Sequence, residues 1–242
     1  GMRLEVCLMA DPNGRACHPA RHPLLSPHVL LRAYAHGLFP MADEAGEIYW
    51  FRPDPRGVIF PDSCQVPATA RRLVGASPFV IHLDTAFEEV IDACRWRPEG
   101  SWINRDIVDA YCHLRDLGFA HSVEAWQGDR LVGGLYGVTL GAAFFGESMF
   151  HRVSGASKHA LLWLIERCRQ AGYRLLDVQW LTQHLKLYGA VEIPHRQYLR
   201  HLKVALAQPA CFLRRQEVPP DWVRWYRRAE EAALERRLCR GR

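Results

Sequence analysis

The chain has 242 residues, 49% of them hydrophobic and 24% charged, with a formal net charge of +5. That length can bury a sizeable core in one large or two small domains, and the ordinary balance argues against a disordered, fibrous or disulfide-scaffolded protein. No apolar run approaches the roughly 20 residues needed to span a bilayer, so no membrane association is expected. The eight cysteines form no C-x-x-C pair, and no secretory signal opens the chain, which predicts a reduced, cytoplasmic protein. Cys7, Cys17, His18 and His22 are metal-ligating residue types, but their gaps suit zinc poorly and no metal is expected.

In chain order, residues 2–25 read as irregular. Ser26-Pro27 supplies an N-cap and a favoured first-turn proline for a helix ending at Gly37. Glu47–Phe51 and Gly57–Phe60 read as short strands joined by the turn-forming Arg52-Pro53-Asp54-Pro55-Arg56. A short helix is expected near Ala68–Val74, then a strand at Phe79–Leu83 and a helix capped by Asp84 that runs to about Arg95. Pro98-Glu99-Gly100-Ser101 is a loop carrying Trp102, and Asn104 caps a periodic helix through Ile107, Val108, Tyr111 and Leu114, closed by Gly118.

From His121 the pattern turns to strands. His121–Trp126, a Gln127-Gly128-Asp129 turn, Leu131–Thr139 and Ala142–Phe150 read as an antiparallel meander. A helix from Ser154 to Gly172, a strand at Leu175–Gln179, and helices near Leu181–Tyr188 and Arg196–Ala207 follow. From Leu213 to Arg242 there are nine arginines against five acidic residues, a net +4. Trp222, Trp225, Tyr226, Ala229 and Ala233 recur there at helical spacing, so this tail is expected to dock as an amphipathic helix, its arginine face open to an anionic partner such as nucleic acid. The fold class expected is mixed α+β: a small N-terminal α/β domain over 2–98, an N-acetyltransferase-like domain with a mostly antiparallel sheet over 99–208, and the arginine-rich tail over 209–242.

The chemistry concentrates in Phe145-Gly146-Glu147-Ser148-Met149-Phe150 and Leu176-Asp177-Val178-Gln179. Strand, helix, strand brings Glu147, Asp177 and Gln179 to one strand-end cleft, and alternation predicts Asp177 and Gln179 on one face with Val178 on the other. Carboxylates among apolar strand neighbours are costly unless paired or used, so the trio reads as a catalytic site or an internal polar network. Arg152-x-x-Gly155-x-Ser157 at the following helix start approaches a pyrophosphate-binding loop. An acyl-CoA-dependent N-acyltransferase is therefore an alternative, although serines capping an ordinary helix explain the same residues.

Several further segments match one family in register: Leu30-Leu31-Arg32-Ala33-Tyr34 with Gly37-Leu38-Phe39-Pro40, Trp50 with Pro53-Asp54-Pro55-Arg56, and Glu99-Gly100-Ser101-Trp102-Ile103. Ala120–Trp126, Leu131–Val138, Ala156-Ser157-Lys158, Leu187-Tyr188-Gly189-Ala190 and Glu192-Ile193-Pro194 continue the match. Over about residues 29–205 the chain resembles the leucyl/phenylalanyl-tRNA–protein transferases, whose C-terminal domain resembles the N-acetyltransferase fold.

The resemblance implies transfer of Leu, Phe or a related amino acid from the 3′ end of an aminoacyl-tRNA to the N-terminal α-amine of proteins beginning with Arg or Lys, marking them for degradation. No cofactor is implied, because the ester is already activated; a non-catalytic tRNA-binding relative is a further alternative. Glu147, Asp177 and Gln179 match the family's site. Asp177 and Gln179 would orient the amine, the carboxylate being a base or a positioner, and Glu147 would meet the reacting ester or the acceptor's cation. Leu135, Phe144, Met149, Leu161, Leu164, Cys168 and Leu176 match the apolar side-chain pocket, and Trp102 matches a residue at the terminal adenosine. Met41 stands where the family usually has a tryptophan wall, Pro23–Pro27 replaces a glycine-rich segment, and Leu164 and Cys168 replace bulkier aromatics.

Overall fold

The computed structural model describes residues 22–64, 66–68, 72, 78–96 and 101–213. A 3₁₀ turn at Pro23–Leu25 leads into helix α1 (Pro27–Ala35), where Pro27 sits at the first helical position. Strands β1 (Phe39–Ala42) and β2 (Ile48–Phe51) form a separate antiparallel hairpin. Then come β3 (Arg56–Ile59), β4 (Val80–Leu83), α2 (Phe87–Arg95) and α3 (Arg105–Asp116). The meander β5 (Ala120–Gln127), β6 (Arg130–Leu140) and β7 (Ala143–His151) follows, then α4 (Ala156–Gln170), β8 (Leu175–Gln179), α5 (Gln183–Lys186), β9 (Val191–Ile193) and α6 (His195–Leu206). The helix expected near Ala68–Val74 lies largely outside the described residues, and the expected tail helix lies wholly outside them.

Seven strands make one sheet in the order β4-β5-β6-β7-β8-β3-β9, antiparallel throughout except for the parallel pair β7–β8. Hairpin, strand, long helix, strand is the order expected from the sequence, and the structure pairs that last strand parallel to β7. The sheet also takes β3 and β4 from before residue 98, so its hydrogen bonding runs across the boundary drawn there. One face buries Tyr136, Val138, Phe145 and Leu175 with Tyr34 of α1, Val90 of α2, Tyr111 of α3 and Tyr198 of α6. The other buries Leu135, Phe144 and Leu176 beneath Leu161, Leu164 and Cys168 of α4. Asn104 caps α3 through Ile107 N–H (2.9 Å), as predicted. Asp84 does not cap α2, because two residues separate it from the first helical residue. Its carboxylate instead pairs with His121 (2.7 Å) and accepts from Ser122 N–H (2.7 Å).

Two irregularities shape the sheet centre. In β7, Tyr136 faces Ser148 and Gly137 faces Gly146, leaving Glu147 as an extra residue. In β8, Gly57 of β3 faces Gln179 and Val58 faces Asp177, leaving Val178 extra. Such bulges bend a strand and re-aim the side chain they carry. The parallel ladder between β7 and β8 stops at Phe145–Asp177, so the strands part where both bulges occur. Gly57 makes the second bulge possible: a Cβ there would meet Leu181 N and the Trp180 carbonyl carbon, both at 2.9 Å. Gly57→Ala is expected to cost about 1–3 kcal/mol through this backbone clash, read as a lower urea midpoint with an unchanged slope.

Candidate active site

Where β7 and β8 part, a cavity of about 320 Å³ opens. Leu135, Met149, Leu161, Leu164, Leu176 and Leu185 make it apolar on the α4 side, while Glu147 and Gln179 are its buried polar groups. Trp102 and the half-exposed Trp180 also line it. Apolar walls with a few convergent polar groups are the usual make-up of a small-ligand site.

Glu147 is only 8% exposed. The Tyr34 hydroxyl donates to its Oε1 at 2.7 Å, Tyr34 and Tyr111 share a hydrogen bond, and the Tyr111 hydroxyl lies 3.4 Å from Oε2. Gln179 Nε2 reaches Oε1 at 3.4 Å. Burial raises the carboxyl pKa, Tyr34 opposes this, Asp177 adds to it, and Tyr111 and Arg56 oppose it again, leaving it at about 7. The two phenols are pushed well above their ordinary value by burial and by the neighbouring Glu147, so they remain donors.

Asp177 does not face the cavity. Leu176 and Val178 point there and Asp177, fully buried, points to the opposite side of the sheet. Arg56 grips it, Nε at 2.9 Å from Oδ1 and Nη2 at 2.7 Å from Oδ2, and the Tyr198 hydroxyl donates to Oδ2 at 2.7 Å. The guanidinium also donates to the Gly37 carbonyl at 3.1 Å and lies over the Phe39 and Tyr198 rings. Burial opposes the charge on Arg56, and the Asp177 carboxylate more than offsets this.

The alternation expected for Asp177 and Gln179 therefore fails, for a local reason. Gln179 has φ +63° and is followed by a Trp180 N–H to Val178 carbonyl bond of 2.8 Å, a tight turn that returns its side chain to the Val178 side. Asp177 Oδ1 holds that turn by accepting Gln179 N–H at 2.9 Å. A non-glycine residue in this region costs of order 1–3 kcal/mol and persists only where its surroundings enforce it.

Of the residues singled out from sequence, Trp102, Leu135, Glu147, Met149, Leu161, Leu164, Leu176 and Gln179 line the cavity. Phe144 and Cys168 lie behind it in the core, Phe144 packed against Tyr173 and Phe212. Met41 packs against the other core from β1, one residue before Ala42 N–H donates to the Trp102 carbonyl at 3.1 Å. Cys7, Cys17 and His18 lie outside the described residues. Tyr34, Arg56 and Tyr111 went unassigned, although the Leu30–Tyr34 and Pro53–Arg56 segments held two of them; Tyr198 and Trp180 carried no signal. The Arg152–Ser157 loop makes a tight helix entry: Gly155 is left-handed (φ +88°), and a Cβ on Gly133 of β6 would lie 2.5 Å from Ala156 Cβ and 3.0 Å from Ser157 N. The Arg152 guanidinium is bonded to the Leu131 carbonyl at 2.9 Å.

Removing one partner of a buried ion pair strands the other charge. Arg56→Met should cost about 3–5 kcal/mol, and Arg56→Met with Asp177→Leu should recover most of it in urea unfolding. Glu147 binds a proton more tightly folded than unfolded, from about 7 against an ordinary 4.5, so the wild type loses stability as pH rises across that window and levels off above it. Glu147→Gln should therefore gain up to about 3 kcal/mol on the wild type between pH 4.5 and 7, and nothing further above.

Residues 24–54 match the leucyl/phenylalanyl-tRNA protein transferase N-terminal domain and residues 58–203 match the leucyl/phenylalanyl-tRNA protein transferase family. Leucyl/phenylalanyl-tRNA–protein transferases of Phenylobacterium zucineum, Zymomonas mobilis and Rhodopseudomonas palustris are 52%, 49% and 48% identical over 188, 190 and 195 residues. The alignments span 76%, 76% and 78% of this chain, and 85%, 70% and 85% of those proteins. Among solved structures, L-PGS from Bacillus licheniformis superposes with a TM-score of 0.40 at 10% identity, over 74% of this chain and 62% of that one. The extent of both family matches and this level of identity mean that the chain belongs to the leucyl/phenylalanyl-tRNA–protein transferase family.

Proposed function

We propose that this protein moves Leu or Phe from the 3′ end of a charged tRNA to the N-terminal α-amine of an acceptor protein, with Glu147 as the proton acceptor. The observation that carries this reading is a carboxyl group held at about 7 at the polar end of an apolar cavity, in a member of this family. The aminoacyl side chain occupies the Leu135, Met149, Leu161, Leu164 and Leu176 wall, which sets the ester carbonyl beside Glu147 and Gln179. An α-ammonium has an ordinary pKa of about 7.7–8.0, so transfer of its proton to a group near 7 is almost balanced.

The freed amine attacks the ester carbonyl carbon, the new C–N bond forms, and the bond to the ribose oxygen breaks. The proton taken by Glu147 goes to that oxygen as it leaves, and the attacking nitrogen then gives its second surplus proton to the freed Glu147 carboxylate, which releases it to solvent, so the reaction closes without a cofactor. Gln179 positions the amine through its amide, and Asp177 acts through Gln179 by holding its turn rather than touching substrate. Acceptors beginning with Arg or Lys, and degradation of the product, follow the family pattern.

The test is incubation with Phe-tRNA or Leu-tRNA and a peptide beginning with Arg, read by mass spectrometry for the gain of one residue. Glu147→Gln should lower kcat by about 10²–10⁴-fold with far less change in donor binding, and the wild-type rate should rise with pH with a midpoint near 7 that the variant lacks. A Glu147→Gln enzyme with wild-type kcat would remove Glu147 from the proton transfer.

A further inference from the structure

One side of the cavity, around His184, carries basic side chains that the reaction above does not use. His184 of α5 lines the cavity, and its Nε2, out of solvent, has no hydrogen-bond partner among the described residues. Its ring packs edge-on against Tyr188, centroids 4.9 Å apart. Lys158 in the first turn of α4, three residues before the cavity-lining Leu161, and His151 at the end of β7, two residues after the cavity-lining Met149, are exposed on the same faces of their elements as those residues. Burial and then these two charges lower the proton affinity of His184, and none of the causes acting on it is a carboxylate. An unsatisfied nitrogen beside a lysine and a second histidine invites an anion with several acceptor oxygens.

We infer that His184, Lys158 and His151 form a subsite for the phosphodiester on the 5′ side of the terminal nucleotide of the donor. This rests on the aminoacyl-tRNA reading of the cavity. A phosphate joined through one ribose to an aminoacyl group in the cavity stays at its rim. The Lys158 charge repels a basic acceptor N-terminus, so this side takes the polyanionic substrate and not the peptide.

The probe is the amide analogue of phenylalanyl-adenosine, titrated calorimetrically with and without a 5′-phosphate. In the wild type the phosphorylated form should bind about tenfold tighter, with the advantage shrinking as salt rises. In Lys158→Ala, and again in His184→Gln, the ratio of the two affinities should fall toward one. Equal affinities in the wild type would overturn the subsite while leaving the transfer reading intact. A tenfold ratio that survives in both variants would overturn the assignment to these residues. Binding of neither analogue would overturn the aminoacyl reading and the subsite together.

Discussion

The buried ion pair between Arg56 and Asp177 is the contact on which the site depends. Its partners come from four places in the chain: the Gly37 carbonyl after α1, Arg56 of β3, Asp177 of β8 and Tyr198 of α6. The guanidinium lies over the Phe39 and Tyr198 rings, whose faces replace part of its lost hydration. Desolvating two charges is expensive, and here the bidentate geometry and the extra donors offset that cost. What the pair holds is a left-handed glutamine in a tight turn, a conformation the backbone would not keep alone.

The same pair also acts on Glu147, as two lesser and opposed influences. Asp177 raises the Glu147 pKa, Arg56 lowers it, and two buried tyrosines donate to the charged form. Burial still dominates, and the result near 7 is that of a group ready to exchange a proton at neutral pH. Two carboxylates that read alike in sequence thus have opposite surroundings: one is locked by a guanidinium, the other is partly satisfied and lines the cavity. Environment makes the difference, since Glu147 lines a cavity and Asp177 is fully enclosed.

Most strands and helices were legible because their signals are local. The α3 cap at Asn104, its close at Gly118, the β5–β6–β7 meander and the long α4 all follow from capping, turn chemistry and periodicity. The short strands β1 and β9 were not, since three or four residues such as Phe39-Pro40-Met41-Ala42 carry too little pattern and pair only when a partner strand is brought to them. Asp84 misled because an aspartate before a helix is a cap by propensity, and here the nearer demand was His121 and Ser122 on β5.

By itself the sequence determined the family, the order of elements and the residues from which the site is drawn, because those depend on short stretches read in place. Only the tertiary structure decided which way the side chains face. That direction depends on an extra residue in each of two neighbouring strands, on Gly57 leaving room for the Trp180–Leu181 backbone, and on an arginine 121 positions from the aspartate it holds. Alternation along a strand is a local rule, and a bulge enforced by a partner strand overrides it. Glu147 and Asp177 are equally acidic on paper; the fold turns one into a cavity and locks the other against an arginine.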